Sequence, residues 1–357
     1  MKMVAKNRDS NLELFRIITM ILITANHYVC NSGLLDVMNQ CPTSVKSIYL
    51  YLLGMWGKTG INCFVLITGY FMCRSRITLR KFTKLLLWVL FYNTVIYFIF
   101  LAFGYCSFSL GACVSSIWPV KDIKGNFVSC FFVFFLTIPF LNILIRNMTK
   151  RQHLLLLGLC LSVYTLWAQL PFITVYSNYV VWFGILYLIA SYIRIYRVVQ
   201  RLHYRQWGWL ALAAVLLASL SVVAFVMSGH TSYAYFFVTN SNAILAVAVS
   251  VCAFMFFKAM PMRHVKWVNA VGASTFGVLL IHTNNDMMHK WLWQDLLNNV
   301  GHYQGNIYLH SILSILGVFM VCSVIDQLRL KWIERPLFKV LDTYMEKRGG
   351  LLGFPWT

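Results

Sequence analysis

The chain has 357 residues, of which 60% are apolar and only 11% are charged, and its mean hydropathy is +0.69. A soluble protein usually carries about 25% charged residues, so this composition excludes a soluble enzyme or a soluble binding domain. The net charge of +20 does not indicate nucleic acid as a partner, because the basic residues are gathered in alternate connections between apolar segments.

Apolar windows of roughly 18 to 25 residues recur along the whole chain, and each is long enough to cross a bilayer as a helix. We therefore predict an all-α, polytopic integral membrane bundle of about ten transmembrane helices. No small-residue cleavage site follows the first segment, so we expect a retained span and not a signal peptide. The predicted spans comprise residues 12–32, 48–72, 82–103, 127–145, 153–170, 178–194, 207–228, 233–257, 268–287 and 307–328.

Lysine and arginine are distributed unequally between the two sides of this predicted bundle. One set of connections holds 24 of the 30 basic residues and the other set holds four, while Arg16 and Lys58 lie inside spans. Cytoplasmic connections carry the excess of basic residues, so this asymmetry predicts that both termini are cytoplasmic. We see no internal sequence repeat, which counts against an inverted-repeat transporter.

The first span carries two ionisable residues, Arg16 and His27, eleven positions apart. Eleven helical steps of about 100° return to nearly the same face and cover about 16 Å along the axis. Ionisable groups within a membrane segment are functional hypotheses by default. Arg16 either holds a polar or anionic part of a cytoplasmic substrate or reaches the lipid headgroups with Glu13 as its i,i+3 partner. His27 is either a general base or a hydrogen-bonding group between helices.

The second span carries Lys58 and Asn62, which share a helix face at i,i+4 spacing. Lys58 lies about ten residues into the span, too deep for its ammonium to reach the headgroups easily, so we expect it to face a partner or a wet cavity. Gly57, Gly60 and Gly69 permit close contact between helices.

The ninth and tenth spans each contribute one candidate residue. His282 lies about 21 Å from the inner end of the ninth span, a depth similar to that of His27. The polar run Thr-Asn-Asn-Asp follows it at residues 283–286. Glu334, one of three glutamates, follows the tenth span at the same predicted membrane level as Arg16. An ion pair between Arg16 and Glu334 is one interpretation of that placement.

The ten cysteines do not resemble a disulfide framework or a metal site. Five lie in apolar runs, where cysteine behaves as a small hydrophobic residue. Cys41, Cys106 and Cys113 lie on the predicted outer side, and a disulfide between two of them is an open alternative if that compartment is oxidising. We expect neither a metal ion nor a bound cofactor.

Four elements of the sequence resemble the membrane-bound acyltransferase family 3, which O-acylates cell-surface glycans. Arg16 and His27 match the family's pattern of Arg, ten residues, His in its first helix. Residues 60–70 are similar to its second-helix run of Gly, a polar residue, Phe, a hydrophobic stretch and Ser-Gly-Phe. Residues 280–282 resemble its late Leu-Ile-His element, and residues 333–336 resemble its closing Glu-Arg-Pro element. The elements occur in order, so the resemblance covers essentially the whole chain.

Three places depart from the family pattern. Thr68 replaces the usual Ser, and Asn62 stands where an acidic residue is common, so the polarity is kept without the charge. The family often shows a dense arginine cluster entering the third helix, whereas residues 80–84 read Arg-Lys-Phe-Thr-Lys. Lysine keeps the positive charge but makes fewer bidentate contacts with phosphate than arginine does.

The resemblance implies a membrane-embedded O-acyltransferase in the bacterial inner or plasma membrane. Such an enzyme transfers an acetyl group, the commonest in the family, from cytoplasmic acetyl-CoA to a hydroxyl of an extracytoplasmic surface polysaccharide or lipid-linked glycan. Acetyl-CoA is then a co-substrate and not a bound cofactor. Residues 1–340 are expected to form a single transmembrane acyltransferase domain, and residues 341–357 a short cytoplasmic tail.

This interpretation assigns roles to the polar residues. His27 is the general base on the glycan hydroxyl or itself accepts the acyl group, Arg16 positions the donor, and His282 is a second catalytic candidate. Lys58 or Asn62 stabilises the oxyanion, and the basic inner connections hold the phosphates of CoA. The predicted substrate- and donor-binding residues are Lys58, Asn62, Arg74, Arg76, Arg80, Lys81 and Glu334.

Two other classes of membrane protein also need many spans and buried polar groups. A secondary transporter or glycan flippase moves its substrate without acyl transfer, and the lack of a repeat counts against it. A membrane glycan polymerase favours one large outer loop, whereas the longest predicted connections have only about 20 residues.

Overall fold

A computed structural model describes residues 9–176 and 178–347 of the chain, with side chains described as far as Thr343. These residues form helices and no strand, which confirms the all-α prediction. In chain order the α-helices are α1 (Ser10–Cys30), α2 (Leu34–Gln40), α3 (Val45–Gly54), α4 (Gly57–Met72), α5 (Leu79–Ala102), α6 (Leu110–Ile117), α7 (Phe127–Asn147), α8 (Lys150–Leu161), α9 (Tyr179–Ile195), α10 (Tyr204–Met227), α11 (Ile244–Ala259), α12 (Lys266–His282), α13 (Asp286–His289), α14 (Ile307–Arg329) and α15 (Arg335–Lys347).

Six helical stretches within the described residues are long and apolar enough to cross a bilayer, and α9 and α11 are shorter apolar helices. They support a multi-pass membrane protein. The prediction of about ten spans with cytoplasmic termini remains a prediction. The six stretches are Ser10–Cys30, Val45–Met72, Leu79–Ala102, Phe127–Asn147, Tyr204–Met227 and Ile307–Thr343.

Two predicted spans are shorter as helices than the hydropathy pattern indicates. Helix α11 begins at Ile244 and not near residue 233, because residues 240–242 read Asn-Ser-Asn and adopt turns instead. Helix α12 ends at His282, and the Asn285 side chain then caps α13 by accepting a hydrogen bond of 2.9 Å from the amide of Met288.

The chain divides into two compact units. The first takes in the described residues of Met1–Phe64, Val199–Leu279 and Trp293–Gln327. Within it, α1 packs against α2, α3 and α11, while α10 packs along α11 and against α3. Met20 and Phe254 are completely buried in this unit.

The second unit takes in the described residues of Val65–Val198, Leu280–Leu292 and Leu328–Thr357. Within it, α7 packs against α5 and α9, and α9 also contacts α8. Gly69 lies so close to the backbone of Tyr187 that an added methyl group would overlap α9.

Helix α14 does not stop at the predicted end of the tenth span. It runs through a π-helical turn at Leu330–Glu334 directly into α15. The boundary predicted at residue 340 therefore falls inside a helix.

Candidate functional site

Helix α1 carries Arg16 and His27, as the sequence predicts. The guanidinium of Arg16 lies 3.0 Å from the carboxylate of Glu13, which confirms the expected i,i+3 pair. The Glu13 side chain is 6% exposed and that of Arg16 is 23% exposed. Gly272 of α12 leaves room for this carboxylate, because a methyl group there would overlap it. The Glu13 carboxylate is thus buried against α12, and its ion pair orients the guanidinium of Arg16.

The side chain of Asn26 fixes the junction of α3 and α4 beside His27. Its amide donates to the carbonyl oxygen of Gly54 and, at 3.3 Å, to the sulfur of Cys30. Gly57, the first residue of α4, lacks a side chain where the Asn26 carboxamide lies. These contacts bring the start of α4 against the last turns of α1, where the half-buried His27 lies.

Lys58 follows Gly57 directly and approaches the same end of α1. Because Gly57 meets the Asn26 side chain, the neighbouring Lys58 lies at the end of α1 that carries Cys30. Cys30 is three residues after His27, so the two side chains lie on neighbouring positions of one helix face. The structure thus brings a histidine, a cysteine and a lysine to one end of the first unit. Sequence reasoning missed Cys30, although its i,i+3 spacing from His27 was visible.

Asn62, one turn further along α4, has a structural contact. It is completely buried and donates a hydrogen bond of 2.6 Å to the carbonyl oxygen of Ser241. That carbonyl belongs to the turn before α11. Asn62 therefore ties α4 to the segment that replaces the predicted start of the eighth span.

Replacing Asn62 with alanine is expected to lower the free energy of unfolding by about 1–3 kcal/mol, because a buried carbonyl loses its donor. Thermal unfolding of the purified protein in detergent measures this change. Cys63→Ala, at the next buried position, is the packing control. A variant that unfolds at the wild-type temperature but loses activity would instead assign Asn62 to the chemistry.

His282 ends α12 and is completely buried in the second unit. Just after it, the amide of Asn284 donates to the side-chain oxygen of Asn93 at 3.0 Å, and Asn93 donates to the carbonyl of Ile117 at 3.3 Å. These bonds link the end of α12 to α5 and α6. The polar run after His282 is therefore organised by hydrogen bonds between side chains.

Glu334 lies in a cluster of charged and aromatic side chains in the second unit. It forms ion pairs with Lys84 and, at 2.8 Å, with Arg329. The Arg329 guanidinium also lies over the ring of Trp88, 4.6 Å from its centre. Arg80 makes a bidentate pair with Asp342 at 2.8 and 2.9 Å. The Arg16–Glu334 pair remains a prediction.

Two pockets that share Lys84, Glu334 and Phe338 open beside this cluster, with volumes of about 310 and 370 Å³. Five basic side chains and two carboxylates line them, so the surroundings are positive. Aromatic rings supply flat apolar surface to the same space. Such a combination suits a phosphorylated ligand with a planar ring. The charged lining residues are Arg80, Lys84, Arg329, Glu334, Arg335, Lys339 and Asp342.

The other predicted basic residues do not line these two pockets. Lys81 donates to the carbonyl of Arg76 at 2.7 Å and so holds the turn before α5. Arg76 itself is exposed. Arg74 lines a separate cavity with Arg146. Of the predicted donor-binding residues between 74 and 81, only Arg80 lines the same pocket as Glu334.

All ten cysteines are free thiols in the structure, including Cys41, Cys106 and Cys113. Among residues 9–176 and 178–347, no group of three or more His, Cys, Asp or Glu side chains could hold a metal ion.

No curated protein and no solved structure matches the chain. A family model described as an acyltransferase domain matches residues 9–326, a range that contains Arg16, His27, Lys58, Asn62 and His282. Because this match covers nearly the whole chain, the protein belongs to acyltransferase family 3.

Proposed function

We propose that this membrane acyltransferase transfers an acetyl group from cytoplasmic acetyl-CoA to a hydroxyl of an extracytoplasmic surface polysaccharide or lipid-linked glycan, in the bacterial cell membrane. The family match over residues 9–326 carries the acyl-transfer part of this proposal. The apolar helices support the membrane location. The acetyl donor and the glycan acceptor rest on the family resemblance of the sequence.

In this proposal the chemistry occurs at His27. Its imidazole removes the proton from the acceptor hydroxyl as the oxygen attacks the thioester carbon, or it takes the acyl group first and passes it on. The ammonium of Lys58, near the same end of α1, stabilises the negative oxygen of the tetrahedral intermediate. The C–S bond then breaks, and CoA leaves as its thiol. His282 is kept as a second catalytic candidate.

The donor phosphates are proposed to bind at the pockets beside Glu334. The pairing of Lys84 and Arg329 with Glu334 holds both cations in place, and the basic excess attracts phosphate oxygens. Trp88 and Phe338 line the same space and offer surfaces on which an adenine ring can stack. Lys81 and Arg76 contribute through the turn that they stabilise before α5.

Arg16→Ala is expected to raise the KM for acetyl-CoA about tenfold while changing kcat less, because the proposed role of Arg16 is to position the donor. Arg16→Lys keeps the charge opposite Glu13 and should recover part of the loss. Steady-state kinetics with the purified enzyme measures both. An unchanged dependence on acetyl-CoA in Arg16→Ala would remove Arg16 from donor binding.

Mass spectrometry of the host's surface polysaccharide, with and without the gene, tests the proposed reaction. A mass difference of one acetyl group per repeat supports both donor and acceptor class. A different acyl mass would change the donor, and a difference in glycan export without any acyl difference would favour the flippase alternative. Radiolabelled acetyl-CoA supplied to membrane vesicles then shows whether the label reaches the glycan.

A further inference from the structure

A second basic cavity lies in the second unit, where α4, α7 and α9 end. Its volume is about 450 Å³. Arg74, just past the end of α4, and Arg146, in the last turn of α7, line it together with Tyr196, which caps α9. This cavity shares no lining residue with the two pockets beside Glu334.

Two further cations lie close to residues that line this cavity. The ammonium of Lys150 lies 5.8 Å from the centre of the Tyr196 ring. Arg194, in the last turn of α9, stacks over Tyr70 at 4.5 Å and donates to the Tyr70 carbonyl at 2.9 Å. The C-terminal end of a helix carries a partial negative charge that offsets only about half of one positive elementary charge. Three helix ends therefore leave most of the charge of four cations uncompensated.

No acidic side chain of the neighbouring helices can neutralise these cations. The sequence has no Asp or Glu between Asp36 and Asp122, and none between Asp122 and Asp286, so α4, α7, α8 and α9 contain no carboxylate. Arg80 of the same unit, by contrast, forms an ion pair with Asp342. The described lining of this cavity offers Arg74 and Arg146 no such partner. An external anion would relieve this repulsion.

The apolar part of the lining indicates which anion fits. Ile145 and Ile195 line the cavity beside the two arginines. One turn before Arg146, α7 exposes apolar side chains to its surroundings, with Ile143 53% and Leu144 43% exposed. A ligand with a phosphate at the arginines and acyl chains along α7 would satisfy both surfaces, and arginine binds phosphate oxygens in a bidentate fashion.

We propose that this cavity binds the phosphate headgroup of an anionic phospholipid through Arg74 and Arg146. The site goes beyond the proposed function, because lipid binding does not depend on acyl transfer. The proposed site also gives Arg74 a role in lipid binding, whereas the sequence analysis predicts that Arg74 binds the acyl donor.

Native mass spectrometry of the purified full-length protein tests the proposal, with phosphatidylglycerol and phosphatidylcholine as the added lipids. The wild type should bind phosphatidylglycerol at least tenfold more tightly than phosphatidylcholine. Arg74→Gln/Arg146→Gln should lose most of this preference, and each single variant about half of it on a logarithmic scale. Arg151→Gln removes an exposed charge of α8 that does not line the cavity, so it should bind as the wild type does.

Three outcomes would overturn the proposal. They are equal binding of the two lipids by the wild type, an unchanged preference in the double variant, and displacement of phosphatidylglycerol by coenzyme A at the same arginines. The last would return Arg74 to donor binding. Since binding is measured without acylation, a failure of the proposed acyl transfer would leave these readings intact. Thermal unfolding of each variant in detergent confirms that it remains folded before its binding is compared.

Discussion

Acylation of the glycan is expected to fall by about two to four orders of magnitude in His27→Ala, because the proposed reaction loses its general base. The side chain lies in the last turns of α1 and is half-buried, beside the contacts that Asn26 makes with Gly54 and Cys30. Those contacts are made by the side chain of Asn26, which the substitution leaves unchanged, and alanine is the best helix former, so the fold and membrane insertion should persist. Labelled acetyl transfer in membrane vesicles measures the loss.

The control for this prediction is His264→Ala, since His264 is exposed in the connection before α12 and has no proposed role. It should acylate at the wild-type rate. Acylation retained in His27→Ala would contradict the catalytic assignment, and His282→Ala would then be the variant to measure. Rapid acid quenching followed by mass spectrometry distinguishes the two routes, because an acyl group on His27 appears only if the histidine accepts it.

The helical architecture could be predicted from the sequence, but several helix ends could not. Long apolar stretches predict helices because a bilayer leaves no other way to pair their backbone groups. Hydropathy is averaged over about 19 residues, so a short polar break is diluted. For this reason the hydropathy pattern predicts continuous spans across the turn at residues 240–242 and across the break after His282.

Local contacts of the candidate site were predictable, whereas distant ones were not. The Arg16–Glu13 pair follows from i,i+3 spacing on one helix. The ion pair of Glu334 with Lys84 depends on how the segment after α14 meets α5, and no periodicity in the sequence encodes that packing. The hydrogen bond of Asn62 could not be predicted either, since its acceptor, the carbonyl oxygen of Ser241, lies in a turn that the hydropathy pattern does not predict.

Glu334→Gln is expected to lower the free energy of unfolding by about 3 kcal/mol, because removing one member of a buried ion pair leaves the other charge uncompensated. The Arg329 side chain is only 5% exposed and that of Glu334 is 11% exposed. The contribution of Lys84 is smaller, since its side chain is 39% exposed and solvent screens the pair.

Asp342→Asn is the matched control, because it breaks an ion pair with Arg80 whose two side chains are 43% and 52% exposed. Exposed pairs contribute about 0–1 kcal/mol, so this variant should unfold almost as the wild type does. The double variant Glu334→Gln/Arg329→Met should regain part of the stability, because it removes both charges and keeps apolar bulk over Trp88. Unfolding in mixed detergent micelles measures all three. A Glu334→Gln variant as stable as Asp342→Asn, yet with a raised KM for acetyl-CoA, would show that Glu334 acts on the donor directly and not by holding Lys84 and Arg329 in place.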